Sequence, residues 1–315
     1  MANASAPPAQ SSPQPDTSGG GIVPTLAELV ALRAVAAARR PPRQGRLSGA
    51  GRAPSPLRGR GMEYAESREY APGDEVRHID WRVTARSGRP HTKLFQAERE
   101  RLTLVVADTS PALYFGTRIR FKSVQAARAA AIATWLAVRD GDRVAALRGT
   151  SSEPPVPPAA GPRGALRVLD ALARWYAHPP AADDGLDVAL EHAGRVLRPG
   201  SRLLVLADPA SIATVPDRRW PALAMHSQVL VLLPVDPLET AAPAEALALE
   251  AGGQRVELDL GSAAHRQRWR DAFGAPLETA LARLPAFGVR AAALPCDGPG
   301  DEWLPLFAVP QGVRA

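Results

Sequence analysis

Three stretches of this chain are apolar almost without interruption: 102–107, 202–207 and 228–234. Strands that face water on one side alternate apolar and polar residues; a continuous apolar run marks a strand covered on both faces. Between and after these runs the period changes to that of helices, at 122–139, 163–176, 186–197 and 217–224. Further strands are expected at 143–147 and 289–294, and a hairpin joins 246–250 to 254–259 around Gly252-Gly253. The segment 262–287 reads as helix in two pieces, the tail after Pro295 as irregular, and the Pro-rich stretch 153–162 as loop. Helices alternating with two-sided apolar strands predict an α/β fold, with a mainly parallel sheet, helices on both faces and right-handed crossovers.

The N-terminal third follows different rules. Residues 1–24 are rich in Pro, Ser, Gly and Ala, too polar to offset the entropy of ordering, and are expected to form a disordered tail. Thr25 with Glu28 three residues later has the form of a capping box for a helix whose apolar stripe is Leu26, Leu29, Val30 and Ala37. From Arg39 to Gly61 there are seven arginines and no acid, with Gly and Pro excluding regular structure. Such an arm could grip nucleic acid or another anionic surface; the lack of interleaved aromatics for base stacking favours a connector packed on its own domain. Ala71-Pro72-Gly73-Asp74 has Pro and Gly at the two central positions of a turn. Residues 78–81 and 93–97 read as short strands, with Tyr70 and Trp81 as anchors on the sheet. The division expected is a tail (1–24), a helix with a basic arm (25–61), a β-rich segment (62–100) and an α/β domain with a C-terminal extension (101–315).

Composition narrows the classes. The chain of 315 residues is 45% hydrophobic, enough for a real core, and its net charge is +6. Nearly all cations are arginine, Lys93 and Lys122 being the only lysines, a bias that limits what the charge says about partners. Cys296 is the only cysteine, which rules out an intrachain disulfide and suits a reducing compartment. The first residues lack the basic start and apolar stretch of a signal peptide, and no apolar run reaches the ~18 residues of a membrane span. The expectation is a cytoplasmic protein.

Asp108, Asp208 and Asp236 each follow an apolar strand. Strand C-termini of a parallel sheet share one edge, so such acids can meet there. Asp108 and Ser110, joined by Asp208, offer the oxygen-only ligation that suits Mg²⁺; strand-end Asp and Ser are also ordinary caps. No phosphate-cradling Gly-rich loop, metal-spaced histidine pair or Gly-x-Ser-x-Gly elbow is present, and no positioned nucleophile or general base supports a metal hydrolase.

The run Arg68-x-Tyr70-x-Pro72-Gly73-Asp74-x-x-Arg77-x-Ile79-Asp80-Trp81, followed by Ala85-Arg86, Phe95, Glu98 and a strand ending at Asp108, resembles the signature of the bacterial domain of unknown function 58 family. Asp236-Pro237-Leu238-Glu239 is similar to a later Asp-x-x-Glu of that family. The resemblance implies a von Willebrand factor A-like sheet with a small β-rich insertion before its first core strand, and a non-enzymatic role beside a MoxR-type AAA+ ATPase and a client protein. It also implies a metal site. Asp108, Ser110 and Asp208 match three of its positions, Asp184 stands for a threonine, and Ala112 replaces a second serine, so the ligand set is degenerate and Mg²⁺ binding is weakened or lost. The signature residues Arg68, Tyr70, Asp74, Arg77, Asp80, Trp81 and Arg86 are the candidate binding surface, an ion-paired brace being the alternative.

Overall fold

A six-stranded sheet carries the molecule. The computed structural model describes residues 21–38, 58–96, 101–150, 153–181, 183–251 and 254–308. The strands are β1 (Arg58–Glu69), β2 (His91–Gln96), β3 (Leu102–Ala107), β4 (Arg143–Arg148), β5 (Val156–Ala160), β6 (Arg202–Leu206), β7 (Gln228–Val235), β8 (Ala246–Ala251), β9 (Gln254–Asp259) and β10 (Arg290–Pro295). The helices are α1 (Leu26–Ala31), α2 (Arg33–Ala38), α3 (Trp81–Ser87), α4 (Lys122–Arg139), α5 (Gly161–Trp175), α6 (Leu186–Val196), α7 (Pro209–Ala213), α8 (Arg219–Ala224), α9 (Pro237–Thr240), α10 (Ala263–Trp269), α11 (Ala275–Arg283) and α12 (Leu304–Ala308). The tail up to residue 20, the arm over 39–57 and Glu98 lie outside the described residues.

The sheet order is β10-β7-β6-β3-β4-β5, all parallel except β5, which runs antiparallel to β4. Numbered by chain order within the sheet this is the doubly wound 3-2-1-4-5-6 arrangement, which reverses direction beside its first strand. That strand is β3, buried at every position. Its side chains alternate between two cores. Val105 and Ala107 join α1, α2, α4, α5 and α12 on one face; Leu102, Leu104 and Val106 join α6, α8 and α11 on the other. The α/β expectation holds, and the two-core burial explains why the strand runs lacked alternation.

Helix α4 is buried on nearly its whole circumference. Its many alanines let it lie close to the sheet while α1 and α2 cover its outer side. Trp135 Nε1 donates to the Leu29 carbonyl (3.1 Å), and Arg139 donates to the Ala36 carbonyl (2.9 Å). The expected N-terminal stripe is shifted: Leu29, Leu32 and Ala36 are buried, whereas Leu26 is exposed. Thr25 caps α1 as expected by accepting from the Glu28 amide (3.2 Å). The Glu28 carboxylate instead pairs with Arg128 of α4, which docks the helix rather than closing a capping box.

Three local expectations are corrected. The Pro-rich stretch contains β5, an edge strand, and an edge tolerates Pro157 and Pro158 because an outward-facing backbone needs no partner. Residues 78–81 are not a strand: a helical turn over Val76–His78 leads into α3, leaving one bridge between Ile79 and Thr92. The tail after Pro295 carries α12. The hairpin β8–β9 forms a separate two-stranded sheet, as its turn signal indicated; β1 and β2 form another, although β1 starts at Arg58 inside the stretch where Gly and Pro were expected to exclude regular structure.

The N-terminal end of the sheet is tied by charge. Asp142, 1% exposed, accepts from Arg101 Nε (2.9 Å) and Thr103 Oγ1 (2.8 Å), with an Arg202 nitrogen at 3.6 Å. Removing one member of a buried ionic cluster strands its partners without solvent. Asp142→Ala is therefore expected to cost about 3–5 kcal/mol in urea unfolding, while Asp170→Ala on exposed α5 surface stays within about 0.5 kcal/mol.

Candidate functional site at the strand ends

Strand order reverses beside β3, at the C-terminal ends of β3 and β6, the topological position where open α/β sheets bind ligands. The sheet register delivers the acids there. Asp108 follows β3 and Asp208 follows β6, and the Asp108 amide donates to the Leu206 carbonyl (2.9 Å). Asp236 and Glu239 follow β7 next door, so the sequence-predicted Asp108 and Asp208 do meet, with a further pair beside them. All four are buried.

Each carboxylate oxygen already has a donor. Asp108 accepts from the amides of Ser110 (2.9 Å) and Asp208 (2.9 Å), with the Ser211 hydroxyl also against it. Asp208 caps α7 through the Ala210 amide (2.9 Å) and accepts from Lys122 Nζ at 2.7 Å. Glu239 accepts from the same Nζ at 2.6 Å and from the Asp236 amide at 3.0 Å. Asp236 caps α9 through the Leu238 amide (2.9 Å) and accepts from the Thr117 amide (2.8 Å) and hydroxyl (2.6 Å).

Lys122 is the member that sequence reasoning missed. It opens α4 and is 1% exposed. Burial alone would lower its pKa, but Asp208 and Glu239 outweigh that and hold it above the usual lysine range, so it is an ammonium. The available signal was a lysine in a chain with only one other, placed at a helix N-terminus where the helix dipole disfavours a cation.

The expected fourth ligand is misplaced by one residue. Asp183, not Asp184, accepts from the buried Thr109 hydroxyl and from the Gly185 amide (2.8 Å). Asp184 is exposed and donates its backbone amide to the Gly149 carbonyl (2.6 Å). Ser110 is half-buried beside Asp108, and Ala112, at the second serine position, is exposed. These donors do not fit an octahedral divalent ion. The carboxylates spend their oxygens on amides and an ammonium, and the hydroxyl ligands are incomplete. Among the described residues no group of three or more His, Cys, Asp or Glu is arranged to hold a metal.

The signature residues form a second locus on β1, β2 and α3. Ala71-Pro72-Gly73-Asp74 is the turn read from sequence, with Gly73 at φ 102° and the Asp74 amide donating to the Ala71 carbonyl (3.0 Å). The Asp74 carboxylate accepts from the Ala71 amide (2.9 Å) and Arg68 (2.7 Å), which together hold its pKa below the ordinary carboxylate range. Tyr70 Oη donates to the Asp74 carbonyl (3.1 Å). Asp80 is a buried N-cap: burial pushes its carboxyl up, but the amides of Val83 and Arg82 and the Ser67 hydroxyl outweigh that and leave it lowered. Arg68, Tyr70, Asp74 and Asp80 are thus the brace. Arg77, paired with Glu75 (2.6 Å), and Arg86 lie on the surface. Trp81 does not anchor the segment on the sheet; Asp80 does the anchoring as cap, and the indole is 68% exposed.

The family model described as protein of unknown function DUF58 matches residues 66–276. Uncharacterized proteins of Mycobacterium bovis and Mycobacterium tuberculosis are 33% identical over 189 residues, which is 59% of this chain and 58% of theirs. The chain thus spans little more than half the length of these curated relatives. Among solved structures, an aerotolerance-related membrane protein from Bacteroides fragilis aligns with a TM-score of 0.39 and 14% identity, over 65% of this chain and 96% of that one. No helix of the described residues is long and apolar enough to cross a membrane.

Burial holds the Asp108 carboxyl above its usual range despite its donors. A pKa raised in the folded state means that protonation favours folding: the benefit is present at low pH and lost as pH rises through the folded value. The stability of wild type relative to Asp108→Asn should therefore improve as pH falls through the folded-state pKa towards the ordinary carboxylate value, and stay flat above it. Urea unfolding across that range checks this, and a pH-independent difference contradicts it.

Proposed function

This chain belongs to the DUF58 family, and from that premise we propose that it is a non-enzymatic protein-interaction module. It works in the cytoplasm as an adaptor or chaperone-like factor, between a MoxR-type AAA+ ATPase and a client protein. The observation that carries this reading is Trp81. A tryptophan left 68% exposed has no packing role, yet its backbone is held by a buried cap, a turn and a strand pair. Rigid presentation of an aromatic among arginines is the composition of an interface hot spot, because little entropy is lost when a partner covers it. The partner class follows from the family resemblance of the signature, whose Arg77 and Arg86 flank that indole in sequence.

The strand-end site supports a non-catalytic role. Its acids are engaged by amides, hydroxyls and one ammonium, which leaves no carboxylate oxygen set aside as a general base. Cys296 is buried, and burial pushes its thiol far above the reactive range.

The test is a binding titration of the purified chain against a MoxR-type ATPase, followed by light scattering and by ATP turnover. Trp81→Ala is expected to melt like wild type and to weaken binding at least tenfold, about 1.4 kcal/mol or more. Equal binding by wild type and variant removes Trp81 from the interface. Absence of binding by wild type, with unchanged ATP turnover, refutes the ATPase as partner.

A further inference from the structure

We propose that Lys122 Nζ is the resident cation of the strand-end site, an ammonium carried by the chain itself where a divalent ion would otherwise bridge the acids. The inference stands apart from the identity of any partner. It rests on the position of one side chain. Asp208 and Glu239 come from loops after two different strands, and they converge on Nζ at 2.7 and 2.6 Å, inside a site where Lys122 is 1% exposed.

Nothing local favours a lysine there. It is the first residue of an 18-residue helix, where the backbone already presents partial positive charge. Its ammonium is stripped of water, a penalty repaid only by close opposite charges with matching hydrogen bonds. The bare chain would instead bring the carboxylates of Asp208 and Glu239 together with Asp108 alongside, an arrangement that demands a cation. A hydrated divalent ion and an ammonium answer the same demand. The ammonium does so with three donors and without waters, a ligand shell or dependence on ion concentration. Two of those donors are spent on the two acids. The remaining oxygens of these acids are taken by the amides of Ala210 and Asp236. Ala112 fits this view: once the charge is supplied internally, nothing requires the second hydroxyl ligand of a metal shell.

The exchange should be reversible by mutation. Lys122→Ala leaves Asp208 Oδ2 and Glu239 Oε1 facing a space that a cation can enter. Melting temperatures of wild type and K122A are compared in EDTA, Mg²⁺ and Mn²⁺, and Mn²⁺ binding is followed by electron paramagnetic resonance. Wild type is expected to melt identically in all three and to bind no Mn²⁺. K122A is expected to melt lower in EDTA and to recover as the logarithm of Mn²⁺ concentration, with methylammonium giving partial rescue. K122A/D208N should lose the recovery. Should K122A be insoluble when purified in EDTA, refolding in Mn²⁺ is expected to return soluble protein. Specific Mn²⁺ binding by wild type that Asp208→Asn abolishes overturns the proposal. So does a K122A protein that no cation stabilises or refolds.

Discussion

The constraint on which this structure turns is that a parallel sheet gathers its strand ends on one edge, and here that edge is acidic. Four buried carboxylates from three strand ends must share a small volume, and they are compatible only because Lys122 reaches between two of them while backbone amides serve the rest. The same ammonium fastens α4 to the ends of β6 and β7, so the helix that fills one core is located by charge as well as by packing. At the opposite edge the ionic group is Asp142 with Arg101 and Arg202, again joining three strands. The apolar middle of the sheet is thus closed at both ends by buried charge. This fixes strand register in a way that six-residue apolar strands, with interchangeable Val, Leu and Ala, do not achieve alone.

Function separates from this framework. The strand-end cluster has the topology of a ligand site but its polar groups answer one another. Among the described residues the signature segment adds no member to either hydrophobic core, yet its hydrogen bonds hold a turn and a helix start. The likeness to its family is carried by that segment together with the sheet.

Much of the sheet was legible from the chain because β3, β6 and β7 are buried on both faces and leave continuous apolar runs. Helix α4 was legible end to end, since its alanines admit no other pattern. What was hidden had non-local causes. The β5 strand is marked by two prolines that normally signal a loop, and only its edge position makes them acceptable. Asp80 and Trp81 look like strand residues until the cap geometry is known. That one residue separates Asp183 from Asp184 decides which carboxylate meets Thr109, and spacing alone cannot resolve such a step. Asp208 lies 86 residues from Lys122 and Glu239 lies 117 from it, so no local pattern could pair them. Asp108 and Asp208 were found as strand-end acids; what they bind to was not.

The burial of Lys122 also changes how the chain meets reagents. With two lysines in its whole length and one of them sealed inside, Lys93 is left as the accessible side-chain amine, half-buried on β2 of the signature sheet. Apart from the N-terminal α-amine, the groups that amine-directed cross-linkers, acylating agents and labels can reach will therefore report on that one sheet rather than on the α/β body. A covalent map of this protein's neighbours drawn with such reagents will be a map of what stands next to the signature.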